Sequence, residues 1–133
     1  MSVMQVEVVS AERRLWSGEA QMVVARTVDG EIGILPGHAP LLGELGSGTV
    51  RVIEPSGSEV VAAIHGGFLS VSDTGVSVLA DIAEMASDID VERARAAYDR
   101  AQQALTGEDD AEGQAAVARA AARLKAAGQT VPV

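Results

Sequence analysis

The sequence predicts a β + α fold: an antiparallel β-sandwich over residues 1–86, followed by a C-terminal α-helical hairpin over residues 87–133. The first range holds 11 of the 14 glycines and three of the four prolines, and these separate short β-branched runs. The second range holds 14 alanines in 47 residues, a composition that favours helix. The chain therefore changes from a turn-rich strand pattern to a helical pattern near residue 86.

Short apolar runs between turn signals predict the strands. Asp29-Gly30, Pro36-Gly37 and Asp73-Thr74-Gly75 are typical turn sequences, because proline fixes φ and glycine tolerates positive φ. Eight or more strands are expected at this spacing, which is typical of a small antiparallel sandwich or barrel. The clearest strand segments are residues 3–10, 21–28, 32–35, 49–53, 59–64, 68–72 and 75–79.

Two segments with helical periodicity predict the hairpin. Ser87 or Asp88 is expected to cap the first helix, and Gly107 to end it. The second helix is expected to start at residues 108–110 and to run to about residue 127, with Gly128 as its C-terminal cap. The apolar stripe of the first helix consists of Ala94, Ala97, Tyr98, Ala101 and Leu105.

The alanine content predicts how firmly the hairpin is held. Alanine favours helix formation but buries little apolar area, and burial contributes roughly 0.8 kcal/mol per methylene. We therefore expect helices that are well formed but weakly docked on the sandwich. Such a hairpin is either a moving element or a plain cap on the sandwich.

Composition and charge exclude several classes of protein. Aromatic residues are only 2% of the chain, so the core is expected to be aliphatic, and the absence of cysteine excludes disulfides and thiolate metal sites. The net charge of −9 argues against binding to nucleic acid or directly to anionic lipid. No apolar run approaches the roughly 18 residues of a membrane span, and the first residues lack the features of a signal peptide. We expect a soluble cytoplasmic chain, or one that reaches a membrane only through another protein.

Motifs for catalysis are absent from the sequence. It contains no P-loop, no Gly-x-Ser-x-Gly elbow and no His-Glu-x-x-His pair. One alternative is a small metal-dependent β-barrel enzyme, in which His38 and His65 would bind the metal with Glu31 or Glu44. The acidic cluster at residues 108–110 lacks the alternating oxygen ligands and the central glycine of a calcium loop. We therefore expect no metal site there.

One long segment resembles a known family. Residues 29–42, DGEIGILPGHAPLL, are similar to the signature of the epsilon subunit of bacterial F-type ATP synthases. The resemblance also includes residues 8–12, 66–69 and 76–81, and it continues through residues 88–90 into the alanine-rich hairpin. It covers essentially the whole chain, in the order and at the length of the family.

The resemblance implies a non-catalytic subunit of the rotor. In the family, the sandwich packs on the gamma subunit and its loop end faces the membrane-embedded c-ring, so rotation driven by proton flow is coupled to ATP synthesis. The complex would place the chain at the cytoplasmic face of the cell membrane as a peripheral protein, without a required cofactor. In the expected docking loop, proline fixes φ and glycine allows unusual backbone angles, so a stiff loop is expected. Its relevant residues are Glu31, Gly33, Pro36, Gly37 and His38. The alternative for Glu31 and His38 is a turn without a partner.

The same resemblance assigns regulation to the hairpin. In the family, the hairpin lies folded on the sandwich or extends into the alpha/beta catalytic head, and the extended form inhibits ATP hydrolysis. Inhibitory tails of this family often carry many basic residues on the second helix. Here only Arg119, Arg123 and Lys125 are present, so the strength of inhibition is left open.

A nucleotide motif occurs at the start of the first helix. Residues 89–94, IDVERA, match the Ile/Leu-Asp-x-x-Arg/Lys-Ala motif through which several bacterial members bind ATP as a regulatory ligand. The resemblance implies an ATP site formed by Glu84, Asp90, Arg93, Ala94, Arg119 and Arg123. Guanidinium groups suit phosphates because they donate paired hydrogen bonds. The alternatives are ordinary solvated helix charges, or a free-standing nucleotide-sensing module.

Overall fold

The computed structural model describes residues 2–131, which form seven strands followed by two helices. A 3-10 turn, Ala86–Asp88, joins the last strand to the first helix. No described helix is long and apolar enough to span a membrane. The strands are β1 (Met4–Ser10), β2 (Arg14–Ala20), β3 (Met22–Thr27), β4 (Gly30–Ile34), β5 (Leu41–Ile53), β6 (Glu59–Val71) and β7 (Gly75–Met85), and the helices are α1 (Val91–Ala104) and α2 (Ala111–Ala126).

The seven strands are hydrogen-bonded in the order β2-β1-β7-β6-β5-β3-β4. All neighbouring pairs are antiparallel except β1 and β7, which run parallel from Gln5 beside Gly75 to Ser10 beside Ala80. The predicted sandwich is confirmed, with this one pair as an exception to its antiparallel pattern. The alternation of side chains within a strand indicates which face is buried, but it does not specify the partner strand.

The seven strands of the sandwich enclose one hydrophobic core. The β3–β5 pairing shifts register between Ala25 and Thr27, opposite the stretch of β5 that contains Gly46 and Gly48. One core receives side chains from all seven strands, and its fully buried members are aliphatic, as the composition predicts. Trp16 only borders this core.

The expectation of eight or more strands is wrong, because the described residues form seven. Residues 59–64 and 68–71, expected as two strands, belong to the single strand β6, which continues through Gly66 and Gly67. Residues 49–53 are the end of the longer strand β5. Strand β2 was not anticipated, because its polar residues and glycine hide the alternation and only Ala20 is fully buried.

Side-chain and glycine caps set the helix ends. Asp90, and neither Ser87 nor Asp88, caps α1 by accepting a hydrogen bond from the Arg93 backbone N–H at 3.1 Å. The corresponding cap of α2 is Asp110, which accepts from Gly113 N–H at 2.9 Å. The predicted cap Gly128 follows α2 with φ +82°. There the Gln129 N–H donates to Leu124 O at 2.9 Å, as in a Schellman motif.

The hairpin makes two apolar contacts of different strength. Between α1 and α2, the buried side chains are Ala94, Tyr98, Ala120 and Leu124, with Val131 of the tail packed against them. Between α2 and β6, the buried side chains are only Ala63, Ala122 and Ala126, which we call the alanine seam. The expectation of weak docking on the sandwich thus agrees with the seam, whereas the two helices hold each other through bulkier groups.

The contact between the helices makes a stability prediction. Leu124 is 0% exposed, so Leu124→Ala should lower the free energy of unfolding of the hairpin by about 2–5 kcal/mol through lost burial and a residual cavity. Urea unfolding followed by far-UV circular dichroism measures this change. The matched control is Leu42→Ala, because Leu42 is 69% exposed on β5 and its truncation should change stability by less than about 0.5 kcal/mol. Equal effects of the two substitutions would contradict the packing described here.

Candidate functional site

A cleft lies where the two helices meet the end of β7. Its volume is about 400 Å³, within the range typical of small-molecule sites. The cleft receives one carboxylate from β7, residues of the turn before α1, one face of α1, and one arginine from α2. The lining residues are Glu84, Asp88, Ile89, Asp90, Arg93, Ala94, Ala97, Arg100 and Arg123.

Glu84 is the polar centre of this region. Its Oε1 accepts hydrogen bonds from Arg123 Nε at 2.6 Å and from His65 Nε2 at 3.0 Å. Glu84 lies on β7, His65 on β6 and Arg123 on α2. The Glu84–Arg123 hydrogen bond is therefore the polar contact between the sandwich and the hairpin, and the His65–Glu84 hydrogen bond supports it from within the sandwich.

The environment sets the charges of this network. Burial raises the pKa of Glu84, but the hydrogen bonds from Arg123 and His65 together lower it by more. The pKa of Glu84 therefore lies below its ordinary value. Burial lowers the pKa of His65, and this effect exceeds the opposing effect of its hydrogen bond to Glu84. At neutral pH the network therefore contains an ionised Glu84, a neutral His65 and a charged Arg123.

The predicted motif lies at the start of α1 and lines the cleft. Asp90 uses its Oδ1 to cap the helix, so its second oxygen remains for another partner. Arg93, Ala97 and Arg100 lie at i, i+4 and i+7, which is one face of a helix. Within residues 2–131, no carboxylate lies within 4.0 Å of the Arg93 or Arg100 guanidinium. Sequence reasoning did not include Arg100, although its spacing of seven residues from Arg93 was a usable signal.

Arg119 is the predicted site residue that lies outside the cleft lining. Its Nη2 lies 3.5 Å from Glu112 Oε1 on the same helix. Arg119 and Arg123 both lie on α2, four residues apart, but only Arg123 contacts Glu84 and lines the cleft. Glu84, Asp90, Arg93, Ala94 and Arg123 do come together there.

The expected docking loop is divided between a strand and a turn. Glu31 and Gly33 belong to β4, where Glu31 pairs in register with Arg26 of β3. Pro36 and Gly37 form a turn closed by the His38 N–H, which donates to Leu35 O at 3.1 Å, and Gly37 has φ +86°. No hydrogen bond or ion pair joins Glu31 to His38 in the described part of the chain.

The outer face of the sandwich carries exposed apolar side chains. Leu42, Phe68 and Leu79 are 69%, 49% and 46% exposed. Phe68 of β6 pairs in register with Leu79 of β7, and Leu42 lies on the adjacent strand β5. We call these three residues the outer apolar patch. They were not predicted individually, although Phe68 directly precedes the buried Leu69 and so points to the opposite face.

The two histidines do not form a metal site. His65 is hydrogen-bonded to Glu84, whereas His38 lies in the turn before β5, with its Nδ1 2.7 Å from Ala39 O. Among residues 2–131, no group of three histidine, aspartate or glutamate side chains converges at metal-binding distance. The alternative of a metal-dependent enzyme therefore lacks a ligand set in this part of the chain.

Comparisons with known proteins agree with this architecture. Two family models match: the beta-sandwich domain of the ATP synthase delta/epsilon chain over residues 3–86, and its long alpha-helix domain over residues 87–128. A chain named ATP synthase epsilon chain from Thermobifida fusca is 57% identical over 125 residues, covering 92% of this chain and 90% of that one. The protein of the same name from Streptomyces griseus is 51% identical over 123 residues, covering 92% and 94%.

Solved structures show the same fold. A chain in the Euglena gracilis mitochondrial ATP synthase superposes with a TM-score of 0.82 at 25% identity, covering 97% of this chain and 83% of that one. A chain in the central stalk and c-ring of the Tetrahymena thermophila mitochondrial enzyme has a TM-score of 0.57 at 19% identity, covering 96% of each, and this likeness concerns the fold alone. The sequence and structural evidence together show that the chain belongs to the family of ATP synthase delta/epsilon chains.

Proposed function

We propose that the chain is a non-catalytic central-stalk subunit of an F-type ATP synthase, where it couples proton-driven rotation of the c-ring to ATP synthesis. Membership of the family and the likeness to a chain of an ATP synthase complex support this role. The complex holds the chain at the cytoplasmic face of the cell membrane, without direct insertion into lipid.

The outer apolar patch is the proposed contact with the gamma subunit. Burial of an exposed aromatic or aliphatic side chain contributes about 1.5–3 kcal/mol, which is enough to anchor an interface. The rigid Pro36-Gly37 turn, together with His38 and the exposed strand residue Glu31, is proposed to face the c-ring. A rigid turn loses little conformational entropy when it binds.

The gamma contact is tested by a charge placed in the patch. Phe68→Glu should weaken binding to the gamma subunit at least about tenfold, because a carboxylate would have to be desolvated at the interface. Co-purification of the two subunits, followed by a titration, measures the loss. Val28→Glu is the control, since Val28 is comparably exposed but follows β3 in a turn. Unchanged binding of Phe68→Glu would remove the patch from the interface.

The hairpin is the proposed regulatory element. In the folded state, α2 lies against β5 and packs on β6 through the alanine seam, and Arg123 pairs with Glu84 of β7. In a second state it extends into the alpha/beta catalytic head and inhibits ATP hydrolysis. The small seam supports this proposal, because two states that differ by only a few kcal/mol can both be populated.

ATP is the proposed regulatory ligand of the cleft, and the cleft is the observation on which this part of the proposal depends. Three guanidinium groups, those of Arg93, Arg100 and Arg123, line one volume with the carboxylates of Glu84 and Asp90. The arginines suit a triphosphate, and the carboxylates suit an adenine amino group or ribose hydroxyls. Because two helices and β7 contribute, the complete site exists only in the folded hairpin, and ATP stabilises that state.

Arginine variants test the nucleotide site. A hydrogen bond to a charged group contributes about 1.5–3 kcal/mol, so Arg93→Ala and Arg123→Ala should each weaken ATP binding about tenfold to a hundredfold. Isothermal titration calorimetry of the full chain measures these affinities. Arg119→Ala should have a smaller effect, since Arg119 does not line the cleft.

The control for the calorimetry is Arg51→Ala. Arg51 is paired with Glu59 on the sandwich at 3.0 Å, away from the cleft. Its substitution should leave ATP affinity unchanged. Equal affinities of the wild type and Arg93→Ala would contradict the proposed role of Arg93.

A further inference from the structure

His65 is the buried polar residue of the described chain, with 7% of its surface exposed. It lies on β6, in register with Ser47 of β5 on one side and Ile82 of β7 on the other. Its Nε2 reaches Glu84, and the two groups lie where Arg123 of α2 meets the sandwich. The ring thus binds the same carboxylate oxygen as Arg123, whose hydrogen bond to Glu84 the hairpin must break when it leaves.

We propose that His65 is a proton-sensitive latch, so that protonation of its imidazole releases the hairpin from the sandwich. This inference rests on the proposed movement of the hairpin. It adds the proton as a second signal beside the nucleotide. Both signals would act on the Glu84–Arg123 pair, because these two residues also line the nucleotide cleft.

The hydrogen-bonding pattern favours the neutral ring in the docked state. Neutral His65 donates its Nε2–H to Glu84 Oε1. Its Nδ1 is buried and has no hydrogen-bond partner among the described residues. A second proton on Nδ1 would therefore create a buried N–H donor without an acceptor, which is unfavourable.

The charges on α2 act in the same direction. Besides burial, the Arg123 and Arg119 charges of α2 lower the pKa of His65, whereas Glu84 of β7 raises it. The neighbouring residues in register, Ser47 and Ile82, carry no charge. An imidazolium would be repelled by both guanidinium charges and would share the single Glu84 carboxylate, which already binds Arg123. Removal of α2 would expose the ring to water and take both arginines away.

The pKa of His65 in the docked and undocked states determines how docking depends on pH. Burial lowers the pKa of His65 in the docked state, whereas an exposed imidazole in the undocked state has an ordinary pKa of about 6.5. The equilibrium constant for docking of the hairpin is therefore highest above about pH 6.5. Below that pH it falls by at most about tenfold per pH unit, until the pH reaches the pKa of His65 in the docked state. Glu84 titrates in a separate window, because its docked pKa is lowered from an ordinary value of about 4.3.

Spin-label distances measure the docked fraction directly. The chain contains no cysteine, so Ser58→Cys and Gln103→Cys place the only two labels, one in the turn after β5 and one on exposed α1. Double electron–electron resonance on the full chain should show a second distance population that grows as the pH falls from about 7.5 to about 5.5, where only histidines among the side chains titrate. His65→Gln keeps a donor toward Glu84 but does not titrate, so it should remove this growth.

His38→Gln is the matched control, since the chain has only two histidines and His38 lies in the turn before β5. It should retain the pH dependence of the wild type. His65→Leu, which cannot titrate either, provides a second test if the glutamine variant folds poorly, and circular dichroism verifies folding of each variant. Identical pH profiles for the wild type and both His65 variants would overturn the latch.

An ATP titration of the same labelled protein at constant pH separates this inference from the proposed function. Distances that respond to ATP but not to pH would refute the latch alone. Distances that respond to neither would refute both the latch and the mobile hairpin. A pH response that His65→Gln removes supports the latch whether or not ATP binds.

Discussion

The buried part of the contact between α2 and β6 consists of three methyl groups, those of Ala63, Ala122 and Ala126, with the partly buried Val61 and Ile89 packed against them. Each alanine buries a single methyl, and burial contributes roughly 0.8 kcal/mol per methylene-sized group. The sandwich core, by contrast, collects side chains from all seven strands, and the two helices share Tyr98 and Leu124. The chain thus has two well-packed units, and the proposed regulation requires the hairpin to separate as a unit without unfolding the sandwich.

Because the apolar contact is small, the neighbouring polar groups contribute a large part of the free energy that holds the hairpin on the sandwich. Glu84 receives hydrogen bonds from His65 and Arg123 and also lines the cleft with Arg93 and Arg100. In the proposed regulation, a phosphate that binds Arg123 or a proton that binds His65 changes the same contact. Interactions of a few kcal/mol would then be enough to shift the hairpin between its two proposed states, because the alanines of the seam bury little area. In the proposed function, the chain therefore regulates the enzyme complex through the position of its hairpin and carries out no covalent chemistry itself.

Local features were predictable from the sequence, whereas features that depend on tertiary packing were not. Asp90, Arg93 and Ala94 of the motif at residues 89–94 line one cleft, as their spacing at the start of a helix predicts, because helical spacing is a local property. The rotation of α2, which separates Arg119 from the cleft, is set by packing against β6. The parallel pairing of β1 with β7 joins residues about 70 positions apart, which no local pattern encodes. The burial of His65 on β6 likewise results from the packing of the folded chain.

Protection of a thiol in the alanine seam tests the separable hairpin most directly. Ala122→Cys places a thiol between α2 and β6, and Ala25→Cys places one in the sandwich core, where the natural residue is 0% exposed. Under native conditions the seam thiol should react with an alkylating reagent through an opening that costs clearly less free energy than global unfolding, whereas the core thiol should react only through global unfolding. Equal protection of the two thiols would show that the hairpin leaves the sandwich only when the whole chain unfolds, and it would contradict this account.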